Sequence, residues 1–163
     1  MTGPGADGSP ALTTWEAPMC TNTSLVSAAA VEEEAQIQRC FAVAFAPDEA
    51  RVADMRQVTA DHMRLWDLPG PLADHAVLAV SELVTNAIEH GTGAVDLRVR
   101  CSREDLRIEV TDESPVPAEL RSVDDDALSG RGLFLIAVLS QAWGTSNGGR
   151  TTWCQFLLPA GRL

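Results

Sequence analysis

Two stretches of strict alternation set the terms for this chain. Residues 94–101 (AVDLRVRC) and 106–112 (LRIEVTD) place apolar side chains at every second position, and only the polar residues 102–105 separate them. Side chains alternate across a strand with a period of two, so each stretch has one face for a core and one for water. Two such stretches across a short polar turn make an antiparallel hairpin. A sheet that is wet on one side takes its helices on the other, unlike a parallel sheet apolar on both faces.

The flanking sequence fits two layers. Residues 38–46 (QRCFAVAFA) read as a strand ended by Pro47. Asp48 caps a helix over about residues 49–66, where Val52, Met55, Thr59, Met63 and Trp66 recur at three- and four-residue steps. Gly70 breaks the chain and Pro71 starts a second helix, running to Gly91. After the hairpin, irregular residues 113–129 lead to Gly130-Arg131-Gly132, which opens a helix through about Trp143. The turn Asn147-Gly148-Gly149 precedes a last strand at 151–158 (TTWCQFLL). The order β-α-α-β-β-loop-α-β predicts an α+β fold: a two-layer sandwich with a mixed, mostly antiparallel sheet and helices on one face.

With 163 residues, one domain suffices. Residues 1–36 are rich in Gly, Pro and small residues and carry Glu32-Glu33-Glu34, so they read as a mobile tail with one short helix at most. Residues 37–163 form the folded domain. Twelve Arg and no Lys stand against 23 acidic residues, a net charge of −11, which repels nucleic acid and anionic membrane alike. A small anion held by backbone N–H groups and a cation is still compatible with that charge. No apolar run approaches the roughly 20 residues needed to span a bilayer, and no signal-peptide pattern opens the chain. Cys20, Cys40, Cys101 and Cys154 form no metal-ligand spacing with each other or with the three histidines. They read as reduced, small core residues of a cytoplasmic protein.

Three features point to chemistry. Glu82, Asn86 and His90 recur every four residues on the second helix and so share one face. Carboxylate and amide oxygens suit Mg²⁺, and a carboxylate suits a general base; the plain alternative is a solvated polar face. Asp112 ends a strand, where a carboxylate either reads an exocyclic amine or begins a turn. Gly130-Arg131-Gly132 before a helix suits a phosphate, although such turns also occur with no ligand. No Lys exists for a Walker loop, and no strand immediately precedes the glycines as a Rossmann fingerprint requires.

In this order the features resemble the Bergerat ATP-binding fold of gyrase, Hsp90-type, histidine-kinase and MutL ATPases. The phrases are SELVTNAIEHG at 81–91, GRGLFLIAVLSQAWG at 130–144 and GGRTTW at 148–153. Within that group the chain looks most like the small bacterial anti-sigma-factor serine kinases. The resemblance implies Glu82 as the residue that polarises the attacking hydroxyl or water, and Asn86 as the Mg²⁺ ligand. It implies Asp112 on the adenine amino group, with Thr151 assisting through a water. Gly130 and Gly132 then admit the phosphates, with Arg131 adding charge and His90 nearby. ATP and Mg²⁺ are the implied cofactors. A sigma factor or an anti-sigma-factor antagonist is the implied partner, and relatives of this type often form dimers. The family's adenine box reads Asp-x-Gly-x-Gly; here residues 112–116 are DESPV, lacking both glycines, which implies a stiffer lid and a looser hold on nucleotide. A non-catalytic module of the same fold, acting by sequestration, is the alternative. A sensor histidine kinase would need an upstream helical hairpin that residues 1–36 do not supply.

Overall fold

The computed structural model describes residues 39–118 and 131–160. In chain order these form β1 (Arg39–Phe45), α1 (Ala50–Leu65), α2 (Gly70–His90), β2 (Val95–Cys101), β3 (Asp105–Thr111), α3 (Arg131–Leu139), β4 (Ala142–Ser146), a 3-10 turn (Asn147–Gly149) and β5 (Thr151–Leu157). The strands lie side by side as β1-β2-β3-β5-β4, and every neighbouring pair is antiparallel. The fold is thus the α+β sandwich read from the sequence, with no parallel pair among the described strands. The expected tail at 1–36 and Gly130 lie outside the described residues.

The alternating hairpin does what its pattern requires. Ser102 Oγ accepts the N–H groups of Glu104 (3.1 Å) and Asp105 (3.0 Å), closing the turn between β2 and β3. On the inner face Val95, Leu97, Val99, Leu106, Ile108 and Val110 are buried. On the outer face Glu109 accepts from Arg100 at 3.0 Å and from Arg107 at 2.9 Å. The Arg107 guanidinium also lies 4.0 Å from the Trp153 ring centroid. Cross-strand pairs of this kind contribute about 0.2–1 kcal/mol each, so the outer face supports a register and a stability that come chiefly from the inner face. A one-residue slip would exchange Ile108 for Glu109 in the core. We expect Ile108→Ala to cost about 2–5 kcal/mol and Glu109→Gln less than about 1 kcal/mol; urea unfolding of the two variants checks the contrast.

Helix α2 covers that inner face. Its buried residues Leu72, Ala76, Ala79, Val80, Leu83, Val84 and Ala87 recur at three- and four-residue steps, and it packs on β2, β3 and β5 and on both other helices. Pro71 sits in its first turn, where a missing N–H costs nothing. Helix α1 begins where Asp48 Oδ1 accepts the Ala50 N–H at 2.9 Å. It ends at Asp67, whose φ of 54° is a left-handed conformation that Asp tolerates better than most residues.

Helix α3 is shorter than the sequence predicts. Instead of reaching Trp143 it stops at Leu139, and residues 142–146 form the edge strand β4. Ser140 turns the chain: its N–H (2.9 Å) and Oγ (2.6 Å) both donate to the Ile136 carbonyl. Gln141 N–H then reaches Gln155 O at 2.8 Å, and Trp143 lies opposite Cys154. Pairing with β5 replaces the hydrogen bonds that a longer helix would have made.

The cysteine reading needs one correction. Cys101 and Cys154 are free and buried, as expected, and burial pushes the Cys154 thiol up to about 12. Cys40 is instead disulfide-bonded. It lies on the edge strand β1. No described helix is long and apolar enough to cross a membrane.

Candidate nucleotide site

Glu82, Asn86 and His90 follow one another along the side of α2 beside its apolar stripe. Glu82 and Asn86 are half-buried, and His90 is exposed with Glu89 at 3.8 Å. At 1.5 Å per residue the row is about 12 Å long. Each end of it meets a glycine that the fold brings close.

At the first end stands Gly132, in the first turn of α3. A Cβ built on Gly132 would lie 3.3 Å from Glu82 Cβ and Cδ, and closer still to Oε2. Burial raises the Glu82 carboxyl above the ordinary carboxylate range, and repulsion from Glu89 adds to the rise. At the other end Gly91 follows α2, and a Cβ there would meet the Ala87 carbonyl oxygen first and then sit 2.6 Å from Asp112 Cγ and 2.7 Å from Oδ2. The φ of Gly91 is −81°, so close approach, rather than backbone conformation, demands glycine.

Asp112 is fixed on three sides. Its N–H donates to Arg150 O at 3.0 Å, its Oδ1 accepts the Ser114 N–H at 2.6 Å, and its Oδ2 faces Gly91. Buried Ser114 continues the turn, its Oγ accepting the Val116 N–H at 3.2 Å. Two glycines border this turn: a Cβ built on Gly93 (φ 70°) would lie 2.7 Å from Glu113 Cγ, and one built on Gly149 (φ 89°) would lie 2.8 Å from Pro115 O.

The donor set suits ATP and Mg²⁺. Asn86 has no side-chain hydrogen-bond partner among the described residues, so its amide oxygen is open to a ligand. No group of three or more His, Cys, Asp or Glu among them is placed to hold a metal ion. Mg²⁺ asks for less: it takes one or two protein oxygens and completes its shell with phosphates and water.

Two expected residues fare differently. Arg131 is exposed at the start of α3, on the Glu82 side of the site. Thr151 is not brought to this group. It pairs with Thr111, its Oγ1 bonds Thr111 Oγ1 at 2.8 Å, and both line a concavity of about 340 Å³ on the outer face with Asp96, Arg98, Glu109 and Ser146. Strand alternation places it there, and the same alternation turns Thr152, buried opposite Val110, toward the helices. Counting back in twos from Cys154 and Phe156 is the signal that identifies Thr152.

A family model, the histidine kinase-like ATPase domain, matches residues 45–156, from the last residue of β1 almost to the end of β5. No curated protein matches the chain. The match takes in α2, β3 and α3, the three elements that carry Glu82, Asn86, Asp112 and Gly132, and it covers well over half of the sequence. An antiparallel sheet layered under helices is what such a domain requires, and the chain belongs to the histidine kinase-like ATPase domain family.

Proposed function

We propose that the chain binds Mg·ATP among α2, β3 and α3 and passes the γ-phosphoryl group to a serine of a partner protein, as an anti-sigma-type regulator. One observation carries this reading: one face of α2 holds Glu82, lodged against Gly132, with Asn86 a turn further on, and the residue that follows the helix, Gly91, lies against Asp112. Bound ATP supplies the phosphoryl group; the serine Oγ–phosphorus bond forms as the bond to the bridging oxygen breaks, releasing ADP. Glu82 orients the hydroxyl and takes its proton, a role that suits a carboxylate made more basic by burial. Asn86 ligates Mg²⁺. Asp112 accepts from the adenine amino group through Oδ2, since Oδ1 already holds the Ser114 N–H. Arg131 adds positive charge at the phosphate end. Phosphoryl transfer needs mainly positioning and charge neutralisation, and this set of residues supplies both. The partner is a sigma factor or the antagonist of an anti-sigma factor; a net charge of −11 favours a protein partner over nucleic acid.

The second reading is sequestration without transfer, favoured by Pro115 and Val116 in place of glycine. Incubation with labelled Mg·ATP and a cognate antagonist separates the two. Label on an antagonist serine that is lost in Glu82→Ala and Asn86→Ala supports the kinase; a tight complex without label supports the module. For the base site we expect Asp112→Asn to weaken ATP binding about ten- to a hundredfold by calorimetry, because one hydrogen bond to a charged acceptor is lost.

A further inference from the structure

We propose that the space left by the missing side chain of Gly132 is the seat of the Glu82 carboxylate, which makes Gly132 a positioning residue for turnover. The inference rests on the phosphotransfer reading above and gives one residue of that site a second task. Nothing in the backbone asks for glycine at this point. Gly132 is not among the residues with positive φ, and it lies inside α3, where every residue except proline forms helix more readily.

The neighbour explains the requirement. Glu82 Cβ and Cδ lie 3.3 Å from where a Gly132 Cβ would stand, with Oε2 nearer still. Helix α3 cannot back away to make room, because Leu133 and Ile136 anchor it in the core. A methyl group at 132 therefore moves the end of the Glu82 side chain and leaves the helices in place. At Gly132 all three nearest atoms belong to Glu82, whereas at Gly91 the backbone oxygen of Ala87 comes closer than Asp112, so the seat is particular to Gly132.

Phosphate approach, the task that the sequence motif suggests for Gly132, acts on nucleotide affinity. A seat for Glu82 acts on turnover. The two separate in Gly132→Ala, measured with Mg·ATP and water as acceptor: water oxygen bonds to the γ-phosphorus, the bridging bond breaks, ADP and phosphate leave, and Glu82 takes the water proton. We expect kcat to fall about 100-fold, the scale of a 1 Å misplacement, with Kd for Mg·ATP within about threefold of wild type. In a Glu82→Gln background the same substitution should cost no further kcat. Weakened nucleotide binding with kcat retained, or a kcat loss that adds fully to that of Glu82→Gln, overturns the proposal.

A stability cycle on the nucleotide-free protein reads the shared space without any activity. Gly132→Ala should shift the thermal midpoint more favourably in a Glu82→Ala background than in wild type, because the opposing side chain is gone; equal shifts in both backgrounds overturn the proposal. A wild-type protein that neither hydrolyses ATP nor phosphorylates a partner counts against the phosphotransfer reading, while the stability cycle still decides the seat.

Discussion

Replacing Glu82 by Gln should lower transfer of label from ATP to an acceptor serine by about 10²–10⁴-fold, the usual contribution of a positioned general base. The affinity for Mg·ATP should stay within about threefold, since the substitution keeps the shape of a side chain held against Gly132. Stability should move the other way. Burial, with Glu89 assisting, raises the carboxyl pKa in the folded protein above its unfolded value. The folded state therefore holds this proton more tightly. The resulting stabilisation is complete below the ordinary carboxylate pKa and is lost as pH rises through the raised value. At neutral pH the charged Glu82 burdens the fold, and Gln removes the burden. The variant should melt above wild type at pH 7, with the gap closing toward pH 4. A thermal midpoint below wild type at pH 7 would show that the raised pKa has no such cost, and retained transfer would remove Glu82 from the reaction.

Asn86→Ala should show the second large effect, on binding. Its amide oxygen has no internal partner to lose among the described residues. The variant should fold as well as wild type or better, alanine being the stronger helix former. The calorimetric affinity for ATP in Mg²⁺ should fall about 100-fold, at the upper end of what even indirect metal supports cost. In chelator, wild type and variant should bind alike, because the difference between them is the metal bond. A variant that loses affinity equally with and without Mg²⁺ would assign Asn86 to the nucleotide itself.

What was legible beforehand came from local periodicity. The hairpin of β2 and β3 and the stripe of α2 follow rules of two and 3.6 that act within one segment. The four-residue spacing of Glu82, Asn86 and His90 likewise placed them on one face before any coordinates. What stayed hidden depends on partners distant in sequence. Ala142 and Trp143 continue an apolar helical run, and only the hydrogen bonds of β5 draw them out as a strand. Thr151 and Thr152 carry identical side chains, so only the register against β3 separates outer from inner face. The motif places Gly132 near nucleotide, but its closeness to Glu82, like that of Gly91 to Asp112, appears once α2, β3 and α3 come together. The disulfide at Cys40 has no spacing signature at all.

The hydrogen bond from Asp112 N–H to Arg150 O has a consequence for how such a domain diversifies. The chain leaves β3 and enters β5 at two touching residues, and between them α3 and β4 return to the same core and sheet. Extra length in a connection whose ends are so held is thermodynamically mild, about 0.6 kcal/mol for each doubling. Insertions between the packed elements can therefore change the surface offered to other proteins while the carboxylate beside the clasp keeps its post.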